Sequence, residues 1–252
     1  MESPLFPTSR EPSRHDSVKP ELIVPLDVDS LDKALKLRDE LADVVDFFKV
    51  GKELFTAVGP RILDELSESR VFLDLKFHDI PNTVAGAVTA AVSRRIDIVD
   101  VHASGGRTMM EAAVSAARSA ERSSGVPAPR VFGVTVLTHL GDDDLAELGF
   151  TDRSRDQVVR LAKLAQASGL DGVVASPLEI EAVLEATHGE LDVLVPGVRP
   201  KWAATSHDQK RVATPEDVAR RGARYVVVGR AITQQKQPRD AAKRILEELD
   251  QP

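Results

Sequence analysis

Residues Val71–Thr83 read V-F-L-D-L-K-F-H-D-I-P-N-T, and this stretch decides the fold. Val71, Leu73, Leu75 and Phe77 alternate with Phe72, Asp74, Lys76 and His78. Side chains alternate faces along a strand, so the spacing predicts a strand with Asp74 and Lys76 on one face. Asp79 follows just past the strand end. Ionisable groups so close to an apolar strand are costly unless they pair or do chemistry, which makes this trio the leading site candidate.

Outward from this strand the same unit repeats. Leu22–Val28, Asp46–Gly51, Ile98–Ala103, Arg130–Thr138, Gly172–Ser176, Leu191–Val198 and Tyr225–Gly229 are the other apolar runs that read as strands. Helical patterns separate them: Leu31–Leu41, Pro60–Glu68, Asn82–Arg94, Thr108–Ala120, Arg155–Ala167, Pro177–Ala186, Thr214–Arg221 and Arg239–Leu249. Arg118–Pro129 and Arg199–Arg211 read as loops, and Asp142–Gly149 as one or two helical turns. Strands alternating with amphipathic helices imply a parallel sheet covered by helices. Eight such units fit a TIM (βα)₈ barrel, an α/β fold in a single domain over residues 20–252, preceded by a tail over residues 1–19. A doubly wound open sheet is the alternative, weakened because no G-x-G-x-x-G follows the first strand.

Composition narrows the function classes. At 252 residues, 42% hydrophobic and 29% charged, the chain has an ordinary globular composition. Its net charge of −7 argues against nucleic acid as the main partner. Cysteine is absent, which removes disulfides, thiolate nucleophiles and Cys metal sites. No apolar run approaches the ~18 residues of a membrane span, and the N-terminus has no secretory h-region. The expectation is a cytoplasmic protein that binds neither membrane nor nucleic acid. No H-E-x-x-H or EF-hand pattern is present, so no metal site is expected. The acidic run Asp142–Asp144 suits a helix N-terminus.

Barrel enzymes carry their chemistry at the C-terminal ends of the strands. The polar residues there are Asp27, Lys49, Asp74, Lys76, Asp100, His102, Thr138, Arg199 and the pair Gly229-Arg230. Carboxylates and ammoniums on one rim hold each other ionised. Asp100 and His102 remain open between direct participation and support. Arg199 and Gly229-Arg230 follow the seventh and eighth strands, the usual phosphate site of a barrel. The segment between Arg199 and Gln209 is long enough to fold over a ligand, and Trp202 within it is a candidate for helping such a lid close. His15, His139 and His188 read as surface groups and Tyr225 as packing.

D-L-K-F-H-D-I-P-N-T, with P-L-D-V, F-K-V-G-K, V-T-V-L-T, P-G-V-R-P and V-V-V-G-R-A-I-T in this order, resembles the bacterial type of the orotidine 5′-monophosphate decarboxylase family. The resemblance runs from about Leu22 to the last helix. It implies a (βα)₈ barrel, a homodimer, and removal of CO₂ from orotidine monophosphate to give uridine monophosphate without a cofactor. By motif it implies that Asp27 holds the ribose, Lys49 joins the charged network and Asp74 sits beside the leaving carboxylate. Lys76 would deliver the proton, and Asp79 and Thr83 would reach the neighbouring subunit's site. Thr138 would lie near the pyrimidine, and Arg199, Gln209, Gly229 and Arg230 would hold the phosphate and the closed loop. His139 follows Thr138 where Ser is expected, which is a departure on the pyrimidine side. The rival readings are a related sugar-phosphate decarboxylase or synthase barrel needing Mg²⁺, and a barrel that binds a phosphorylated ligand without catalysis.

Overall fold

The computed structural model of the chain describes residues 19–203 and 213–250. Eight strands form a closed parallel barrel in sequence order: β1 (Glu21–Pro25), β2 (Phe47–Gly51), β3 (Arg70–Phe77), β4 (Ile98–His102), β5 (Arg130–Val134), β6 (Gly172–Val174), β7 (Asp192–Val195) and β8 (Tyr225–Val227). β1 pairs with β8, so closure leaves no sheet edge and removes the open-sheet alternative.

The alternation read in the sequence divides two cores. Inward positions Ile23, Phe47, Phe72, Ile98, Phe132, Leu194 and Tyr225 fill the barrel interior. Their neighbours Val24, Val50, Leu73, Val99, Val131, Val173 and Val226 face out and pack beneath the helices. Tyr225 packs as expected: its ring meets Phe47 and Phe132 edge-on, and its hydroxyl accepts a 2.9 Å hydrogen bond from Arg130. Gly172 is required here, because a Cβ would stand 2.4 Å from the Phe132 ring and 2.5 Å from the Asp192 carbonyl oxygen.

Several boundaries differ from the sequence reading. A helix over Lys52–Val58 follows β2 directly, and the next helix is only Arg61–Glu65. The first has no side-chain cap; Gly51 is both the last strand residue and the cap, so the strand and helix signals abut. The helix after β4 spans Arg107–Ser124, not Thr108–Ala120. Its polar last turn reads as loop, but Gly125 in the left-handed region ends it by donating to the Glu121 carbonyl at 2.9 Å. β1, β5, β7 and β8 end two to four residues early, because their C-terminal residues leave the ladder to form the rim. Among the described residues no helix is long and apolar enough to cross a membrane.

Candidate active site

Four alternating charges run across the C-terminal rim from β1 to β3. Lys49 is almost buried, and its Nζ lies 3.0 Å from Asp27 Oδ1 and 3.2 Å from Asp74 Oδ2. The Lys76 ammonium pairs with the other Asp74 oxygen. The order is therefore Asp27, Lys49, Asp74, Lys76. Register explains the layout: Lys49 lies beside Phe72 and Gly51 beside Asp74, so the two strands present their inward charges one layer apart.

Burial pulls the Lys49 ammonium down, but Asp74 and then Asp27 outweigh it and hold it above its ordinary value. Burial pushes Asp74 up, but Lys49 and Lys76 outweigh that and keep its carboxyl below the usual range. Lys49 and Asp74, the two inner members, are held ionised because each stands between two opposite charges. Asp100, on β4, differs: burial and then the Asp74 carboxylate push it well above the carboxylate range. Its Oδ2 lies 3.9 Å from Lys76 Nζ, and its Oδ1 accepts the Lys76 backbone N–H at 2.7 Å. His102 is lowered to about 4 by burial and then by His78, whose ring centroid is 5.1 Å away. At neutral pH it therefore adds no cation to the site.

Lys49, Asp74 and Lys76 open onto a cavity of about 200 Å³ that is otherwise lined mainly by apolar groups, with Phe72, Val134, Val174, Leu194 and Val227 below and Thr138, Leu137 and Pro196 at the rim. A wider concavity of about 620 Å³ lies at the opposite, N-terminal end. Two of its three guanidiniums are already neutralised, Arg70 by Glu21 and Asp97 and Arg130 by Asp192. The small cavity, where charge meets an apolar floor, is where chemistry is favoured.

Asp79 and Thr83 are not in this cluster. Asp79 is exposed beyond β3, accepts from the Ile80 N–H at 2.6 Å, and pairs with no cation among the described residues. Thr83 is exposed on the helix Pro81–Val92. Ile80, between them, is 67% exposed, an unusual cost for a large apolar side chain. Arg199 is half-buried after β7, and its N–H donates to the Ala213 carbonyl at 3.1 Å. Gly229 caps the short helix Arg230–Thr233 against Pro25, and Arg230 is exposed. Gln209 and the lid stretch after Ala203 lie outside the described residues, as do His15 and almost all of the N-terminal tail. Trp202 is packed on the last helix: its indole donates to Glu248 at 2.7 Å, and Arg244 lies over its ring. His139 and His188 are exposed, as expected.

Gly51 is a site residue that sequence reading passed over, although it stands inside F-K-V-G-K. A Cβ there would come 2.8 Å from Lys49 Nζ and 3.2 Å from Asp27 Oδ1. Gly51→Ala is expected to displace the flexible end of Lys49, leaving Tm nearly unchanged and lowering turnover by ~10²-fold, the usual cost of an ångström-scale misplacement. Steady-state kinetics beside a thermal melt checks it; unchanged kcat would show that Lys49 has other room.

A closed parallel barrel with paired carboxylates and ammoniums over an apolar-floored cavity at its C-terminal mouth defines a (βα)₈ enzyme. Residues 20–245 match the model of the orotidine 5′-phosphate decarboxylase / HUMPS family. The orotidine 5′-phosphate decarboxylase of Moorella thermoacetica is 47% identical over 92% of this chain and 93% of its own length. Among solved structures, that of the Lactobacillus acidophilus orotidine 5′-phosphate decarboxylase superposes with a TM-score of 0.82 at 36% identity, covering 92% of this chain and 99% of that one. The Methanocaldococcus jannaschii orotidine 5′-monophosphate decarboxylase, solved with the inhibitor BMP, gives a TM-score of 0.74 at 26% identity over 92% of this chain and all of that one. The chain belongs to the orotidine 5′-phosphate decarboxylase / HUMPS family.

Proposed function

We propose that this protein converts orotidine 5′-phosphate to uridine 5′-phosphate and CO₂, the last step of de novo pyrimidine nucleotide synthesis, without a cofactor. The observation that carries this reading is the Asp27–Lys49–Asp74–Lys76 alternation, ending on an ammonium at an apolar cavity. Breaking the ring carbon–carboxylate bond releases CO₂ and leaves the electron pair on the ring carbon. A fixed ammonium stabilises that charge as it develops, and Nζ of Lys76 then gives the carbon its proton. Water returns the proton to Lys76. Asp74 beside the substrate carboxylate adds a repulsion that disappears with CO₂. Its ion pair also holds the Lys76 ammonium in place.

Asp27 holds the ribose, Lys49 belongs to the charged network that positions Asp74, and Thr138 faces the pyrimidine. Arg199, Gly229 and Arg230, with Gln209, take the phosphate, whose binding energy is spent on closing the site around a distant reacting carbon. Asp79 and Thr83 serve the site of a second copy in a homodimer. The exposure of Asp79, Ile80 and Thr83 on one continuous segment supports that arrangement.

The test is direct: purified protein, orotidine 5′-phosphate and EDTA, followed by the loss of orotate ultraviolet absorbance. Undiminished turnover in EDTA is the expected result. Activity abolished by the chelator favours the sugar-phosphate reading with its divalent cation, and ligand-induced stabilisation without turnover favours a binding barrel.

A further inference from the structure

Lys76 stands on an irregular piece of strand. On β3, Leu73 pairs with Val99 and Phe77 with Val101, so four steps on β3 oppose two on β4. The surplus residues bulge, and Lys76 has a φ of 51°, a region that side-chain-bearing residues rarely occupy. Inside a bulge the backbone N–H has lost its ladder partner. The Lys76 N–H finds one on a side chain instead, Asp100 Oδ1, at 2.7 Å. Asp100 is 0% exposed, and its Oδ2 has no hydrogen-bond partner among the described residues. A carboxyl wholly removed from water and half satisfied costs more stability than an apolar residue at this position. It does not line the cavity.

We infer that Asp100 is a positioning residue for the reaction: it tethers the bulged backbone at Lys76 and so sets where the Lys76 ammonium stands between Asp74 and the cavity. The inference rests on the reading of Lys76 as proton donor. The upward push on the Asp100 carboxyl agrees with it, because it runs against the charged form that would compete with Asp74 for the ammonium. The bulge takes Lys76 out of ladder geometry between the Leu73–Val99 and Phe77–Val101 pairs, and the Asp100 side chain supplies the hydrogen bond that the ladder does not.

The experiment compares Asp100→Asn, Asp100→Ala and Asp100→Ser in the full chain, measuring kcat, KM and Tm with orotidine 5′-phosphate. Asparagine keeps an oxygen facing the Lys76 N–H in a neutral side chain of the same shape, so kcat stays within about tenfold of wild type. Alanine and serine are too short to hold the tether. For them kcat falls about 10²-fold, as expected for a misplaced catalytic group, while KM stays within about threefold. Serine, which keeps a polar group in the buried position, provides the arm if the alanine variant does not fold. Wild-type kcat in the alanine or serine variant overturns the inference, even with a lowered Tm, because it leaves Asp100 only a structural part. A loss carried by KM overturns it, and so does an asparagine variant as slow as the alanine one. A wild-type protein inactive on orotidine 5′-phosphate removes the functional reading beneath it, whereas an active wild type with unaffected variants removes the tether alone.

Discussion

Lys76→Ala is expected to lower kcat on orotidine 5′-phosphate by at least ~10³-fold in a protein that still folds. Removing one preorganised charge commonly costs ~10²–10³ in rate, and Lys76 both stabilises the carbanion and protonates it. Folding survives because Asp74 keeps Lys49 at 3.2 Å, so no bare carboxylate is left in the rim. Lys76→Arg separates the two roles. Its guanidinium keeps the positive charge but is a far weaker acid, so it too remains slow. Absorbance kinetics and a circular dichroism melt on both variants check this. Activity within tenfold of wild type in the alanine variant would remove Lys76 from the chemistry.

Asp79→Ala is the second large effect, with kcat falling ~10²–10³-fold although Asp79 touches no charged group of its own chain among the described residues. Tm changes little, since the side chain is exposed. Mixing decides whether the defect lies in the partner's site. Inactive Lys76→Ala and Asp79→Ala proteins, unfolded together and refolded, regain activity up to about a quarter of wild type, because half of randomly assorted two-fold dimers are hybrids with one intact site each. No recovery would place Asp79 in its own chain's site or outside catalysis.

The fold was legible because parallel barrel strands carry both cores in one alternation. Phe72 and Asp74 point inward while Val71 and Leu73 point outward, and that pattern is visible without a structure. The Asp27–Lys49–Asp74–Lys76 cluster was legible for the same reason, since strand ends of one parity meet at one rim. What escaped was set by geometry between strands. The bulge at Lys76 depends on how β3 pairs with β4, so the tie to Asp100 leaves no local signature, and Asp100 stayed open between two roles. Gly51 escaped because the reason for a glycine there is the space that Lys49 occupies. The helix Lys52–Val58 escaped because no cap residue separates it from β2.

The layer of Phe47, Phe72, Phe132 and Tyr225 under the charged rim acts as electrical insulation. Phe72 pairs with Lys49 in the sheet, so the ring layer begins one step below the ammonium and water cannot approach from beneath. The field between the largely buried Lys49 and Asp74 therefore runs mainly through protein, where one charge is felt several times more strongly than through water. The barrel therefore sets not only where the charges stand but how far their influence carries, and a ligand entering from the open end becomes the last part of the dielectric to be put in place.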